Sequence, residues 1–419
     1  MYFCRHVLIR TLGFSQILLL MIHHCHCQAQ VTSLDSPLFL EKFRALRDVA
    51  LNFIGTTGED ANKFKINLIR GKIQPQYPPD QPFFCNTTGM RSFPAPTSAH
   101  KVRPGDIDIV GAIGDSLTAG NGVMATNILE VFVENKGLSW SIGGQGNWRQ
   151  FLTIPNILKE FNPNLYGYPV KDGISIRKAS RFNTAEAGAM SQDIPQQAKN
   201  LVKRMLCDPK VNVEKHWKLI TLLIGGNDFC SNICYLNPPE KSLAYHENNI
   251  LAALRTFRDY LPRTIVNLVA SPNVDILTKL KAKPLECVST HIFECPCFMA
   301  TQFARNEKRY VKIIEYWNEL QKDIAGREEF QNKPDFSVVF QPFIINITVP
   351  NLPNGDSDVS YLSMDCFHLS QKGYARAANA LWNNMLEPVG AKSNNWEPEF
   401  SNFKCPTPEM PYLRTQGNS

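Results

Sequence analysis

Four short apolar runs, residues 107–113, 219–224, 265–270 and 338–343, are separated by stretches in which apolar residues recur every three or four positions. A strand that is apolar on both faces must be covered on both. Strand and helix in alternation therefore predict a mostly parallel sheet between two layers of helices. After Ser191, taken as a cap, Ile194, Ala198, Leu201, Val202, Met205 and Leu206 fall on one helical face. After Ser370, Tyr374, Ala377, Ala378, Leu381, Trp382, Met385 and Leu386 do the same. A third helix is expected across residues 301–324. Ser36-Pro37 reads as a cap with proline at the first helical position, opening a stripe of Phe39, Phe43, Leu46, Ala50 and Phe53. Residues 74–104, rich in proline and turn formers, read as an irregular connection. The fold class that follows is α/β, a three-layer α/β/α sandwich with a doubly wound, mostly parallel sheet.

The first residues read as a signal peptide, 1–27. Arg5 and Arg10 precede a mostly apolar stretch, 11–22, and small residues around Cys25, Cys27 and Ala29 offer a cleavage site. The competing reading, a membrane anchor, needs about 20 apolar residues, and this run is shorter. The C-terminal segment is polar and proline-rich, so no transmembrane or lipid anchor is expected there. This divides the chain into the leader, a helix and proline-rich connection (28–104), an α/β domain (105–390) and a polar tail (391–419). Beyond the leader remain nine cysteines: Cys85, Cys207, Cys230, Cys234, Cys287, Cys295, Cys297, Cys366 and Cys405. On a secretory route they are expected in disulfides, with an odd one over. Cys230, Cys234, Cys295, Cys297 and His291 also admit a metal-site reading, although their spacing matches no common zinc pattern. Asn86 and Asn346 stand in glycosylation sequons. The net charge of +6 comes without a basic run or basic–aromatic alternation, so no nucleic-acid partner is expected.

Polar residues follow two of the apolar runs abruptly, and a third polar block opens a helix. The first run ends in Gly114-Asp115-Ser116-Leu117, which puts Ser116 just beyond the carboxyl end of a strand, where doubly wound folds bind ligands. The plainer reading is a strand-to-helix turn with a serine cap. The second run ends in Gly225-Gly226-Asn227-Asp228. An Asn side chain there can donate to an oxyanion, or both polar residues can simply hold the local turn, the reading preferred for Asp228. In Asp365-Cys366-Phe367-His368 the carboxylate stands three residues before an imidazole whose Nδ1–H it can hold. That leaves Nε2 as a base, which a serine nucleophile needs. Trp140 and Trp148, beside Gly143, Gly144 and Gly146, could border a cleft but are read as core.

With these blocks in this order, the chain resembles the SGNH, or GDSL, hydrolase family, whose fold is flavodoxin-like. Within it the chain is similar to the repeated domains of membrane-associated phospholipases B. That narrower likeness is carried by residues 138–144, Asn227-Asp228-Phe229-Cys230 with Cys234, Asp365-Cys366-Phe367-His368, and residues 380–390. The resemblance implies Ser116 as nucleophile, with Asp365 and His368 completing the catalytic set. It also implies an oxyanion site made by Ser116, Gly188 (in the block 182–189) and Asn227. The implied activity is hydrolysis of acyl esters of phospholipids and lysophospholipids through an acyl-serine, with no metal or organic cofactor; the expected leader makes the enzyme a secreted one, unlike the membrane-bound, several-repeat members. Its partners would be the lipid substrate and, transiently, a membrane surface. Two alternatives stay open: a carbohydrate or small-ester O-deacetylase on the same fold, and a secreted lipid-binding protein without catalysis.

Overall fold

The computed structural model describes residues 52–419. The leader with Cys4, Cys25 and Cys27, and nearly all of the stripe that begins at Phe39, lie outside the described residues. Its last member, Phe53, is described and is exposed.

The four apolar runs form one parallel sheet in the order β1 (Ile107–Gly114), β2 (Trp217–Leu223), β3 (Thr264–Val269) and β4 (Phe336–Gln341). β2 begins two residues before its apolar run, with Lys218 inside the sheet. The Lys218 ammonium donates to the carbonyls of Val213, His216 and Pro262 at 2.7, 2.7 and 2.6 Å. A buried polar group is tolerated where hydrogen bonds replace water.

Along the outer edge of β1 the chain passes once more, as two isolated parallel bridges, Ile109 with Tyr166 and Ala112 with Asn183. The amide of Val110 donates to Tyr166 O, and Thr184 N to Ala112 O. β1 is thus flanked on both sides, and the winding direction reverses there. Right-handed crossovers in opposite directions place helices on opposite faces. Alternate strand residues record this. Val110, Leu219, Ile265 and Val339 share a core with Ile157 and Phe161 of α2 (Ile154–Phe161) and with Tyr374 and Leu381 of α8 (Gln371–Leu386). Their neighbours Ile109, Ile220, Val266 and Val338 pack on Leu201 and Met205 of α3 (Ile194–Cys207) and on Leu254 and Phe257 of α5 (Lys241–Tyr260).

Ser370 caps α8 as expected, its hydroxyl accepting from Gly373 N. Ser191 does not cap α3. It opens a 3-10 turn (Ser191–Asp193), and its N–H and hydroxyl go to Asp228 instead. Leu206, read as part of the α3 stripe, is exposed, because it lies one residue past Met205 and rotates off the buried face. The helix expected across 301–324 is α7 (Glu307–Gly326), preceded by turns.

Residues 391–419, polar in composition, nonetheless pack onto the domain through a few anchors. Trp396 and Leu413 are buried, and Leu413 N donates to Val102 O. Cys405 bonds Cys85 across 320 residues, and closing so long a loop in the unfolded chain contributes on the order of 5 kcal/mol. Among the described residues no helix is long and apolar enough to cross a membrane.

Candidate active site

β1 ends on Gly114 at φ +150°, where a Cβ would stand 2.3 Å from Leu223 O of the neighbouring strand. Only glycine fits there. Gln197 of α3 clamps this residue from the other side, accepting from its N–H and donating to its carbonyl. The chain then turns into a single helical turn, α1 (Ser116–Ala119), capped by the Asp115 carboxylate, which accepts from Leu117 N at 3.0 Å. Trp140 Nε1 and Tyr374 OH both donate to Leu117 O, at 3.0 and 2.9 Å. Trp140 is therefore core, as is Trp148, and Trp140 helps to fix the turn that carries Ser116.

Two residues after β2, Gly225 at φ +127° makes a similar turn into α4 (Gly226–Ser231). Asn227 Nδ2 donates to Ala189 O at 2.9 Å, and its second hydrogen remains to donate elsewhere. Asp228 is a brace, as read, but a long-range one: its carboxylate accepts the N–H and hydroxyl of Ser191. Burial pushes the Asp228 carboxyl up to about 7. Asn183 Nδ2 donates to Thr118 O at 2.9 Å. The segment holding Gly188 is thus tied at one end to the Ser116 turn and at the other to the Asn227 block. Gly188 itself is exposed, at φ +78°, with open space where a side chain would stand.

The third block is a tight loop in which Cys366 adopts φ +54° and Ser363 N donates to His368 O. The Ser363 hydroxyl donates to Gly122 O at 2.6 Å, closing this loop onto the chain that follows α1. Within it, Asp365 Oδ1 accepts the N–H groups of Phe367 and His368 at 3.1 and 3.0 Å. Its Oδ2 lies 2.5 Å from His368 Nδ1. Burial pushes the Asp365 carboxyl up, but the His368 imidazolium and these hydrogen bonds outweigh it and hold it at about 2. Burial likewise works against a charged His368, yet the Asp365 carboxylate prevails and raises the imidazole above its ordinary value. His368 Nε2 is buried and has no hydrogen-bond partner within the protein.

Ser116, Gly226 and Asn227 line one cleft. Its remaining walls are largely apolar, built by Val274, Leu277, Ile344, Ile347, Phe367 and Leu369, the last two being the neighbours of His368 in the chain. The structure thus gathers the Ser116, Asn227 and Asp365–His368 blocks at one end of the sheet, with the Gly188 segment bonded between the first two.

One residue at this site carries no signal in the spacing of the motifs. Glu294, the last residue of α6 (Leu285–Glu294), has its carboxyl within 4.8 Å of both Asp365 and His368. Burial and the Asp365 charge hold it up to about 8, so near neutrality it keeps its proton and is hydrogen-bonded to Asp365. Three disulfides bring it there: Cys230–Cys295, Cys234–Cys297 and Cys287–Cys366. The first two use the four cysteines of the metal-site reading, and His291 is buried beside Cys366. Among the described residues, Glu294, Asp365 and His368 form the one group of three side chains close enough to share a cation. Their present arrangement is a hydrogen-bonded one.

The GDSL-like lipase/acylhydrolase family model matches residues 110–381, well over half of the chain and a span that holds every block of the site. The chain belongs to that family. It is similar to membrane-associated phospholipase B1 of Homo sapiens, at 41% identity over 343 residues, 80% of this chain and 23% of that one. The corresponding proteins of Rattus norvegicus and Mus musculus are 38% and 39% identical over 340 and 342 residues, again 80% of this chain and 23% and 22% of theirs. The chain spans less than a quarter of the length of these relatives. Among solved structures it is similar to an extracellular lipase from Streptomyces rimosus at 12% identity, over 64% of this chain and 94% of that one, with a TM-score of 0.30, a likeness too distant to add to the assignment.

Proposed function

We propose that this chain is a secreted serine esterase that hydrolyses the acyl esters of phospholipids and lysophospholipids. The observation that carries the reading is the Asp365–His368 pair, bonded at Nδ1 and unpartnered at Nε2, beside an apolar cleft that holds Ser116. His368 Nε2 takes the Ser116 Oγ proton as the oxygen attacks the ester carbonyl. The Ser116 and Gly188 N–H groups and the Asn227 amide hold the oxyanion. His368 then gives its proton to the leaving alcohol. Water, deprotonated by the same nitrogen, releases the fatty acid from the acyl-serine. The cleft walls favour a long acyl chain over an acetyl group, since walls without polar partners suit a chain that needs none. Residues 105–390 form the hydrolase domain in this reading. The four disulfides among the described residues fit the oxidising secretory route, and both sequon residues, Asn86 and Asn346, are exposed and open to glycosylation.

Purified protein given long-chain phosphatidylcholine is expected to release fatty acid and lysophospholipid, and Ser116→Ala to release neither. A folded wild type that yields no fatty acid would overturn the reading. Asn227→Ala should lower kcat by roughly 100- to 1000-fold, the cost of one oxyanion donor, with KM little changed. An unaltered kcat would remove Asn227 from its role.

A further inference from the structure

Helix α6 is amphipathic the wrong way round. Its inner face carries Cys287, Thr290, His291 and Glu294. Cys287 is bonded to Cys366, the Thr290 hydroxyl donates to Asp365 O at 3.3 Å, and Cys287 and His291 are buried. Its outer face carries Leu285, Val288, Ile292 and Phe293, exposed by 80%, 46%, 52% and 84%. A helix that only served the fold would turn these residues inward. We infer that the outer face of α6 is a membrane-docking surface that seats the active site on a phospholipid aggregate, an inference that rests on the phospholipid reading above.

Three observations single out a lipid surface as the occupant. The patch is joined to the substrate cleft twice: through the chain, which runs from Leu277 in the cleft wall to Leu285, and through Cys287–Cys366, next to Phe367. Lys279 is paired with Asp275 at 2.7 Å, but Lys281 and Lys283, next to the patch, stand against a single exposed carboxylate, Glu286, a balance that suits anionic headgroups. The patch is also small. A stable protein interface takes roughly 20–30 residues a side, whereas four apolar side chains on one short helix match shallow insertion, about 5–10 Å, at the headgroup boundary.

The test uses the purified chain and unilamellar vesicles of phosphatidylcholine containing a minor fraction of phosphatidylserine. Binding is read by sedimentation in the Ser116→Ala background, and hydrolysis with Ser116 present. Leu285→Ser/Ile292→Ser/Phe293→Ser should weaken vesicle binding and slow vesicle hydrolysis by roughly tenfold or more. Turnover of a short-chain ester dissolved as monomers should be unchanged, which also reports an intact fold. Phe293→Trp, a single exposed change, should show a blue-shifted emission when vesicles are added. The inference is overturned if the wild type fails to bind vesicles, if the triple variant binds them equally, or if the tryptophan emission stays put. A wild-type dimer that the triple variant makes monomeric would overturn it in favour of a second copy as occupant. Binding that depends on α6 but releases no fatty acid would sink the esterase reading and leave the docking surface standing.

Discussion

His368→Ala is expected to lower turnover of any ester substrate by about a million-fold, the loss seen when a serine–histidine pair is broken and only substrate binding and oxyanion contacts remain. The size follows from the absence of a substitute. Nε2 has no partner within the protein, and Glu294, the nearest other titratable group on α6, keeps its proton near neutrality because burial and Asp365 hold it up to about 8. The fold should survive. Asp365 keeps the N–H groups of Phe367 and His368, which are backbone donors and remain after substitution. The check is kcat on a chromogenic ester beside a thermal melt. Residual activity within a factor of about 100 of wild type, a loss too small for a missing base, would remove His368 from the role.

Asp365→Asn should cost about ten-thousand-fold in kcat, and the hydrogen bonds give the reason. Oδ1 accepts two backbone N–H groups, so the asparagine oxygen will stay there and its NH2 will face His368 Nδ1. An NH2 must donate, which forces the imidazole proton onto Nε2, the atom that has to accept from serine. The pH profile separates this account from simple misfolding. In the wild type the raised His368 value keeps the imidazole protonated to higher pH, so kcat/KM should climb through a limb above 6.5, the ordinary histidine value. Without the Asp365 charge, burial is left to favour the neutral ring, and the limb of the residual activity should shift to lower pH. A limb that does not move would refute the electrostatic role given to Asp365.

Much of this was legible in the chain, for physical reasons that can be named. A strand covered on both faces must be apolar on both, so the four runs announced the sheet. Polar residues placed directly after two of them announced the edge at which it opens. The three-residue step from Asp365 to His368 is short enough for the carboxylate to reach Nδ1 whatever surrounds it. Other parts were hidden because long-range contacts carry them. The strip beside β1 makes only two bridges, at Tyr166 and Asn183, and has no apolar run to betray it. The polar tail is held chiefly by Trp396, Leu413, Cys405 and the rings of Phe400 and Phe403, too few to alter its composition. Glu294 reaches Asp365 through a disulfide pairing that spacing cannot encode. The stripe on α6 would be read as core, since periodicity identifies a face and not the side it turns to.

The crosslinks around the site have a consequence for durability. From the Asn227 block to the His368 loop the backbone takes a long route across the domain, but Cys230–Cys295 and Cys366–Cys287 connect the two through the eight-residue step from Cys295 back to Cys287. On the phospholipid reading, the products of turnover are fatty acids and lysophospholipids, which are surfactants. Surfactants loosen assemblies held by apolar contact alone, and an oxyanion donor and a base aligned only by such contacts would drift apart as product accumulated. Here the two are stitched by bonds that no amphiphile dissolves, so the working geometry can outlast the softening of the helices around it.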